Sequence, residues 1–286
     1  MLSFWIGYGS NYIGGTGAGQ SNLAWQLPSI IQGIPAVCLA LGIWWLPFSP
    51  RWLVSKNRDE EAIKTLSYLR KLPIEHDDIQ REYKEIKAEC LFEERAFAKA
   101  FPQLAERQNR NIWMEQLMQY YNILRTWDHL KRVATAWLVM FFQQWSGIDA
   151  IIYYASNVFI SLGLTGGTQA LLATGVTGVV FLVCTLPAMV VIDKVGRKPM
   201  LQVGSAVMFI TMVGAGIIVA KFRHDWANHS DAGWAAVSLI WIYVGAFGAT
   251  WGPVSWTLVS EIFPLSIRAK GASIGASSNW VRFSLL

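Results

Sequence analysis

The first fifty residues contain no lysine, arginine, aspartate or glutamate. Charged side chains make up about a quarter of an ordinary soluble domain, so this stretch is not the solvated surface of one. Cysteine is nearly absent. Cys38 and Cys184 sit in apolar runs and Cys90 in a charged segment, a scatter that supports neither a disulfide framework nor metal-ligand spacing. The four histidines lie outside the apolar runs, and no nucleophile–base pair or metal cluster falls within those runs, so no enzyme chemistry, cofactor or metal is expected. The net charge of +5 comes without a basic stripe interleaved with aromatics, which argues against nucleic acid as a partner. The N-terminus has no basic leader and no small-residue cleavage site, so it does not read as a signal peptide.

What is present is apolar surface. Hydrophobic residues make up 53% of the 286 and charged residues 15%, with a mean hydropathy of +0.32. Sixteen of the 24 basic and fourteen of the 19 acidic residues fall between 51 and 132. Charge segregated in this way is what a chain shows when the bilayer is the solvent for most of it. The partners this implies are membrane lipid and whatever the membrane segments enclose.

Residues 1–7 are apolar and read as the end of a span whose start is missing, followed by Gly-, Ser- and Asn-rich loop chemistry over 8–27. Gly15-Thr16-Gly17-Ala18-Gly19 has no strand before it and no lysine after it, so it fails the context test of a phosphate-binding loop. A span over 28–45 stops at Pro47 and Pro50, which lack an N–H and disfavour a helical residue before them. Asp59–Leu72 reads as a helix with Ile63, Leu66 and Leu69 on one side, and Asp77–Phe92 places Ile79, Tyr83 and Ile86 at helical spacing. Further spans are expected at 133–160, 169–192, 199–220 and 232–260, with a partial one from Gly271. Pro187 and Pro253 are expected to interrupt their helices, and Gly248-x-x-x-Gly252 and Gly271-x-x-x-Gly275 to permit close helix contact. The chain is thus expected to be an all-α polytopic membrane protein in three parts, 1–53, 54–132 and 133–286. With 51–132 cytoplasmic, 21 basic residues fall inside and Lys221 and Arg223 outside, in line with the positive-inside rule. Asn228-His229-Ser230, the one glycosylation triplet, then falls outside.

One span holds an unusual cluster. Gln143, Gln144, Asp149, Tyr153 and Tyr154 lie inside the 133–160 run, and polar groups at membrane depth must face other protein or a water-filled cavity. Ser146-Gly147 sits among them, where a helix can bend or open. Two readings stand, a small-molecule site and a set of hydrogen bonds bridging helices; packing is the better account of Tyr153.

Four motifs stand out along the chain: Pro47-x-Ser49-Pro50-Arg51, Gln143-Gln144-x-x-Gly147-x-Asp149-x-x-x-Tyr153-Tyr154, Asp193-x-x-Gly196-Arg197-Lys198 and Gly252-Pro253-x-x-Trp256-x-x-x-x-Glu261-x-x-Pro264-x-x-x-Arg268. The set resembles the sugar porter family of the major facilitator superfamily, with a likeness to fungal sugar and quinate permeases. The resemblance covers essentially the whole chain and implies the end of helix five, helices six to ten and part of helix eleven, an incomplete transporter fragment. It further implies that Gln143, Gln144, Asp149, Gly252 and Trp256 bind a sugar, polyol or quinate-like solute, with Tyr154 closing the outer side and Asn279 and Trp280 completing the wall. Arg51, Asp193, Arg197, Lys198, Glu261 and Arg268 would form an inner gate; a plain positive-inside anchor is the alternative for 193–198. The expected function is transport by alternating access, with protons as candidate co-substrates and the plasma membrane as the expected location. A transporter-like sensor is the rival reading. Three departures bear on substrate: Asp149 replaces the family's usual Asn, Phe181 stands where sugar-binding relatives often place an Asn, and Phe48 replaces a Glu. An aspartate at 149 suits a polyhydroxylated donor or a proton of its own.

Overall fold

The computed structural model describes residues 2–15, 20–102, 112–162, 167–223, 225–226, 228–264 and 267–281. Among them every regular element is helical. Residues 16–19 of the glycine-rich stretch and Arg282 lie outside the described residues.

The helices are α1 (Leu2–Ser10), α2 (Leu23–Gly42, continued by a tight turn over Ile43–Trp45), α3 (Pro50–Ser55), α4 (Asp59–Arg70), α5 (Asp77–Ala100), α6 (Ile112–Arg125), α7 (Trp127–Trp145), α8 (Ile148–Tyr153), α9 (Ala155–Ser161), α10 (Gly167–Val195), α11 (Arg197–Phe222), α12 (Ser230–Ala249), α13 (Trp251–Glu261) and α14 (Arg268–Val281). Among the described residues, four stretches are long and apolar enough to cross a membrane: Leu23–Trp45, Gln169–Val195, Arg197–Phe222 and Ser230–Glu261.

Several expectations need correcting. The first loop is shorter than 8–27, because α1 runs on to Ser10 and the Ser21 hydroxyl accepts from the Leu23 N–H to start α2 early. Pro28 therefore lies inside α2 and does not open it. The 133–160 run is not one helix: it is cut at Gly147, whose φ of +85° is the left-handed conformation glycine tolerates, and again at Tyr154. Pro187 leaves α10 unbroken. With no water at membrane depth to replace them, the other backbone hydrogen bonds of so long a helix hold it together across one missing donor. Pro253 does break its helix, but three residues upstream, at Thr250 (φ −131°, ψ −82°). A proline ring crowds the carbonyl four residues before it, here that of Ala249, so the chain turns out of the helix between that carbonyl and the ring.

The chain divides into two compact units. One comprises residues 1–32, 131–263 and 271–286. Its core joins α8, α9, α10, α11 and α12 through Ile148, Phe159, Ala173, Met208, Val237, Tyr243, Val244 and Phe247. Small residues let α12 approach α10: a β-carbon on Gly245 would stand 3.0 Å from Cys184 Sγ, and one on Gly248 3.0 Å from the Phe181 carbonyl oxygen.

The other unit comprises residues 33–130 and 264–270. Leu53, Val54 and Ala62 form its core, with Tyr83, Ile86 and Cys90 packed on them. Leu69, expected on the buried side of its helix, is exposed, because the buried stripe runs through Ala62 and Leu66 instead. Ion pairs tie these helices together. Arg51 reaches Glu89 at 3.2 Å and Glu93 at 2.7 Å, and Arg70 reaches Glu82 at 2.9 Å. Lys87 Nζ donates to Asp59 Oδ2 at 2.5 Å and to Tyr83 Oη at 2.9 Å.

The Lys87 hydrogen bond holds the Asp59 carboxyl below its ordinary pKa, and Arg70 and Arg58 do the same for Glu82 and Glu61. Folded-state values below the unfolded ones add stability above the unfolded pKa, about 4, and that stability is lost as pH falls through the folded values. Amide-exchange protection in α4 and α5 is therefore expected to stay level from neutral pH down to about 5 and to fall steadily below about 4. Asp59→Asn should flatten part of that acid limb; an unchanged limb would count against the assignment.

Candidate transport site

Two helix breaks define the site, Ser146-Gly147 after α7 and Thr250 between α12 and α13. Gln143 lies one turn before the first and is 3% exposed. Its amide Nε2 donates to the Trp251 carbonyl at 2.8 Å, with the Gly252 carbonyl at 3.4 Å. Its Oε1 is buried and has no hydrogen-bond partner among the described residues. Asn279 on α14 is 8% exposed, and its Oδ1 is in the same condition. Leaving such an acceptor unsatisfied costs about 1–3 kcal/mol, so each of these oxygens is a place where a donor is owed.

Gln144 and Asp149 are half-buried on either side of Gly147, each engaged in further contacts. Gly252 lies beside the second break, and a β-carbon there would stand 3.9 Å from the Phe181 ring. Phe181 stacks on Phe247 at 6.3 Å, so the position where relatives place an amide is filled by an apolar ring against the Gly252 wall. Trp256 (53% exposed), Trp280 (70%) and Tyr154 present open faces. Indole and phenol faces of this kind can stack on the C–H side of a sugar ring.

At the ends of α10, α11 and α13, Arg197 makes a two-pronged bond to Glu261, Nε to Oε2 at 2.9 Å and Nη2 to Oε1 at 2.6 Å. The same guanidinium meets Asp193 at 3.1 Å and the Ile192 carbonyl at 3.2 Å. Gly196, with φ +88°, turns the chain so that Arg197 opens α11. Lys198 is exposed and makes no ion pair among the described residues, and Arg268 begins α14 with contacts of its own. Arg51 is held by Glu89 and Glu93 on α5. Phe48, in place of the family's Glu, stacks on Trp52 with ring centres 5.1 Å apart.

A family model described as "Sugar (and other) transporter" matches residues 1–284. The chain belongs to the sugar transporter family. It is 32% identical over 285 residues to the probable quinate permease of Aspergillus niger, covering 98% of this chain and 49% of that protein. It is 30% identical over 303 residues to the MFS glucose transporter mfs1 of Aspergillus flavus, covering 100% and 53% respectively. Among solved structures, the partially occluded inward-open xylose transporter XylE from E. coli superposes with a TM-score of 0.65 at 25% identity, over 98% of this chain and 51% of that one. The chain thus spans about half the length of these relatives, and its fold is that of a segment of the major facilitator architecture. Sugar transporters of this fold are multi-pass membrane proteins, in keeping with the four apolar spans.

Three polar groups escape a reading of the sequence. Tyr243, 1% exposed in α12, donates to the Ser146 carbonyl at 2.6 Å. Trp251 Nε1 donates to Ser205 Oγ at 2.9 Å. Ser255, fully buried, has no partner for its hydroxyl among the described residues. A tyrosine in an otherwise apolar span was the one signal on the page, since its hydroxyl needs an acceptor at that depth.

Proposed function

We propose that the chain supplies one wall of the solute site in a secondary carrier for a sugar or related polyhydroxylated solute, quinate included, which works by alternating access without chemical change. The observation that carries this reading is the pair of buried acceptors, Gln143 Oε1 and Asn279 Oδ1, left without a hydrogen-bond partner among the described residues. A ring of hydroxyls supplies the donors they lack. Gln144 and Asp149 take further hydroxyls, Gly252 leaves room for the ring, Trp256 and Trp280 stack on it, and Tyr154 covers the outer side. Phe181 removes an amide from this wall and shifts preference away from ordinary hexoses. Asp149 takes a proton or a solute hydroxyl, and the named activity of quinate permeases among the relatives favours an acidic polyol as that solute.

Arg197 with Asp193 and Glu261 forms the inner lock, to which Lys198 adds charge, and Arg51 anchors the 54–132 segment on the cytoplasmic side of the plasma membrane. Exposed pairs contribute only about 0–1 kcal/mol each, but a pair present in one conformation and absent in the other still biases the equilibrium between them. The parts 1–53, 54–132 and 133–286 then serve as the end of helix five with the outer loop and helix six, the cytoplasmic segment, and the solute-binding bundle.

Equilibrium binding of tritiated quinate, glucose and xylose to the purified chain in lipid nanodiscs, beside uptake by carrier-deficient cells producing it, tests the reading. Saturable binding with accumulation supports a carrier, binding without accumulation favours a sensor, and the absence of both defeats the solute site.

A further inference from the structure

The two helix breaks are tied to each other by reciprocal hydrogen bonds. α7, which ends at the first break, sends the Gln143 amide to the Trp251 carbonyl at the second, at 2.8 Å. α12, which ends at the second break, sends the Tyr243 hydroxyl to the Ser146 carbonyl at the first, at 2.6 Å. In an unbroken helix the Ser146 carbonyl would accept from the amide of Ala150; the left-handed turn at Gly147 takes that arrangement apart. A carbonyl released at membrane depth has no water to turn to, so the phenol is its replacement partner. Both side chains are almost wholly buried, Tyr243 at 1% and Gln143 at 3% exposure, and a hydrogen bond in such surroundings is stronger than one in water.

The direction of each bond matters. Because the Gln143 donor is spent on backbone, its free end is an acceptor. Because the Tyr243 hydroxyl fixes the carbonyl just before Gly147, it sets how the chain leaves α7 and so where Gln144 and Asp149 stand on either side of the turn. The Tyr243 ring is packed in the core with Ile148, Ile151 and Val244, which leaves the hydroxyl little freedom to choose another acceptor.

We propose that Tyr243 is a positioning residue: through the Ser146 carbonyl it holds the break at Gly147 in register with the break at Thr250, so that the two open and close as one hinge. This rests on the solute-site reading above, since what it positions is the group of ligands around Gly147.

The test is Tyr243→Phe, which removes one oxygen and keeps the ring, in the purified chain in lipid nanodiscs. Amide exchange over residues 147–151 is expected to speed up about tenfold while α10 and α11 exchange as before. The half-saturation concentration for whichever of quinate, glucose or xylose binds should rise about tenfold with the number of sites unchanged. Unchanged exchange at 147–151 overturns the proposal, and so does faster exchange with affinity kept within twofold. The unmodified protein gives an independent check that needs no variant: its Ile151 amide, which donates to the Gly147 carbonyl at 3.2 Å, should be protected to the level of α12, and rapid exchange there overturns the proposal as well. Should the unmodified chain bind none of the three solutes, the solute reading fails by itself, and the exchange data alone decide whether Tyr243 holds the break.

Discussion

Gly204→Ala is expected to lower the stability of the membrane bundle by about 2–3 kcal/mol, a large share of the total that a domain usually has. Gly204 lies on α11 where that helix meets the break at Thr250. A β-carbon there would stand 2.6 Å from Thr250 Cβ and 2.9 Å from its Cγ2, inside any tolerable contact, with Oγ1 nearer still. Thr250 has little room to yield, because it is β-branched and its hydroxyl is bonded to the Ala246 carbonyl at 2.6 Å. The next residues along are joined too, Trp251 to Ser205. The added methyl must therefore push α11 off the break or strain the backbone at Thr250. Gly216→Ala on the same helix is the control. Open space surrounds that position, so the substitution should be neutral or stabilising by up to about 1 kcal/mol. Thermal unfolding of both variants in the same nanodiscs gives the comparison, and equal midpoints would refute the close approach.

Much of this architecture can be read from residues alone, and the parts that cannot share a cause. Apolar length, the Pro47–Pro50 stop and the charge segregation follow from solvation and backbone chemistry local to each segment, so the helices fall close to where the sequence puts them. The break at Ser146-Gly147 is also local, since a glycine beside a serine in an apolar run has few other uses. The break near Pro253 is legible as an event but displaced in position, because the clash acts on a carbonyl a full turn earlier. Pro187 shows the converse, a local signal overridden by the rest of a long helix. What could not be read is pairing across helices. Nothing in the sequence says that Gln143 spends its donor on the Trp251 carbonyl, that Tyr243 finds Ser146, or that Phe181 lies against Gly252. Trp256, Trp280 and Tyr154 mark the opposite limit. On the proposed function their partner is a solute, so folding leaves little trace of their role.

Gln143→Leu should be the most damaging change to the solute site, weakening binding by about two orders of magnitude, and the reason is that one side chain holds two jobs. Leucine fills much of the same volume but has neither donor nor acceptor. Loss of the acceptor removes a hydrogen bond to solute, about 0.5–1.5 kcal/mol for a neutral pair. Loss of the donor strips the buried Trp251 carbonyl of its side-chain partner, an added penalty of about 1–3 kcal/mol that falls on the break at Thr250 and hence on the Gly252–Trp256 wall. With solute bound only while the break is held, the two losses together come to roughly 3 kcal/mol, or about a hundredfold in dissociation constant. Asn279→Leu separates the two jobs. Its Oδ1 has no protein partner to lose among the described residues, so binding should weaken only about tenfold while amide exchange around residues 250–252 stays as it was. Gln143→Leu should speed exchange at those residues as well as weaken binding. Equal losses of affinity in the two variants, with exchange at 250–252 untouched in both, would mean that Gln143 binds solute without holding the broken helix.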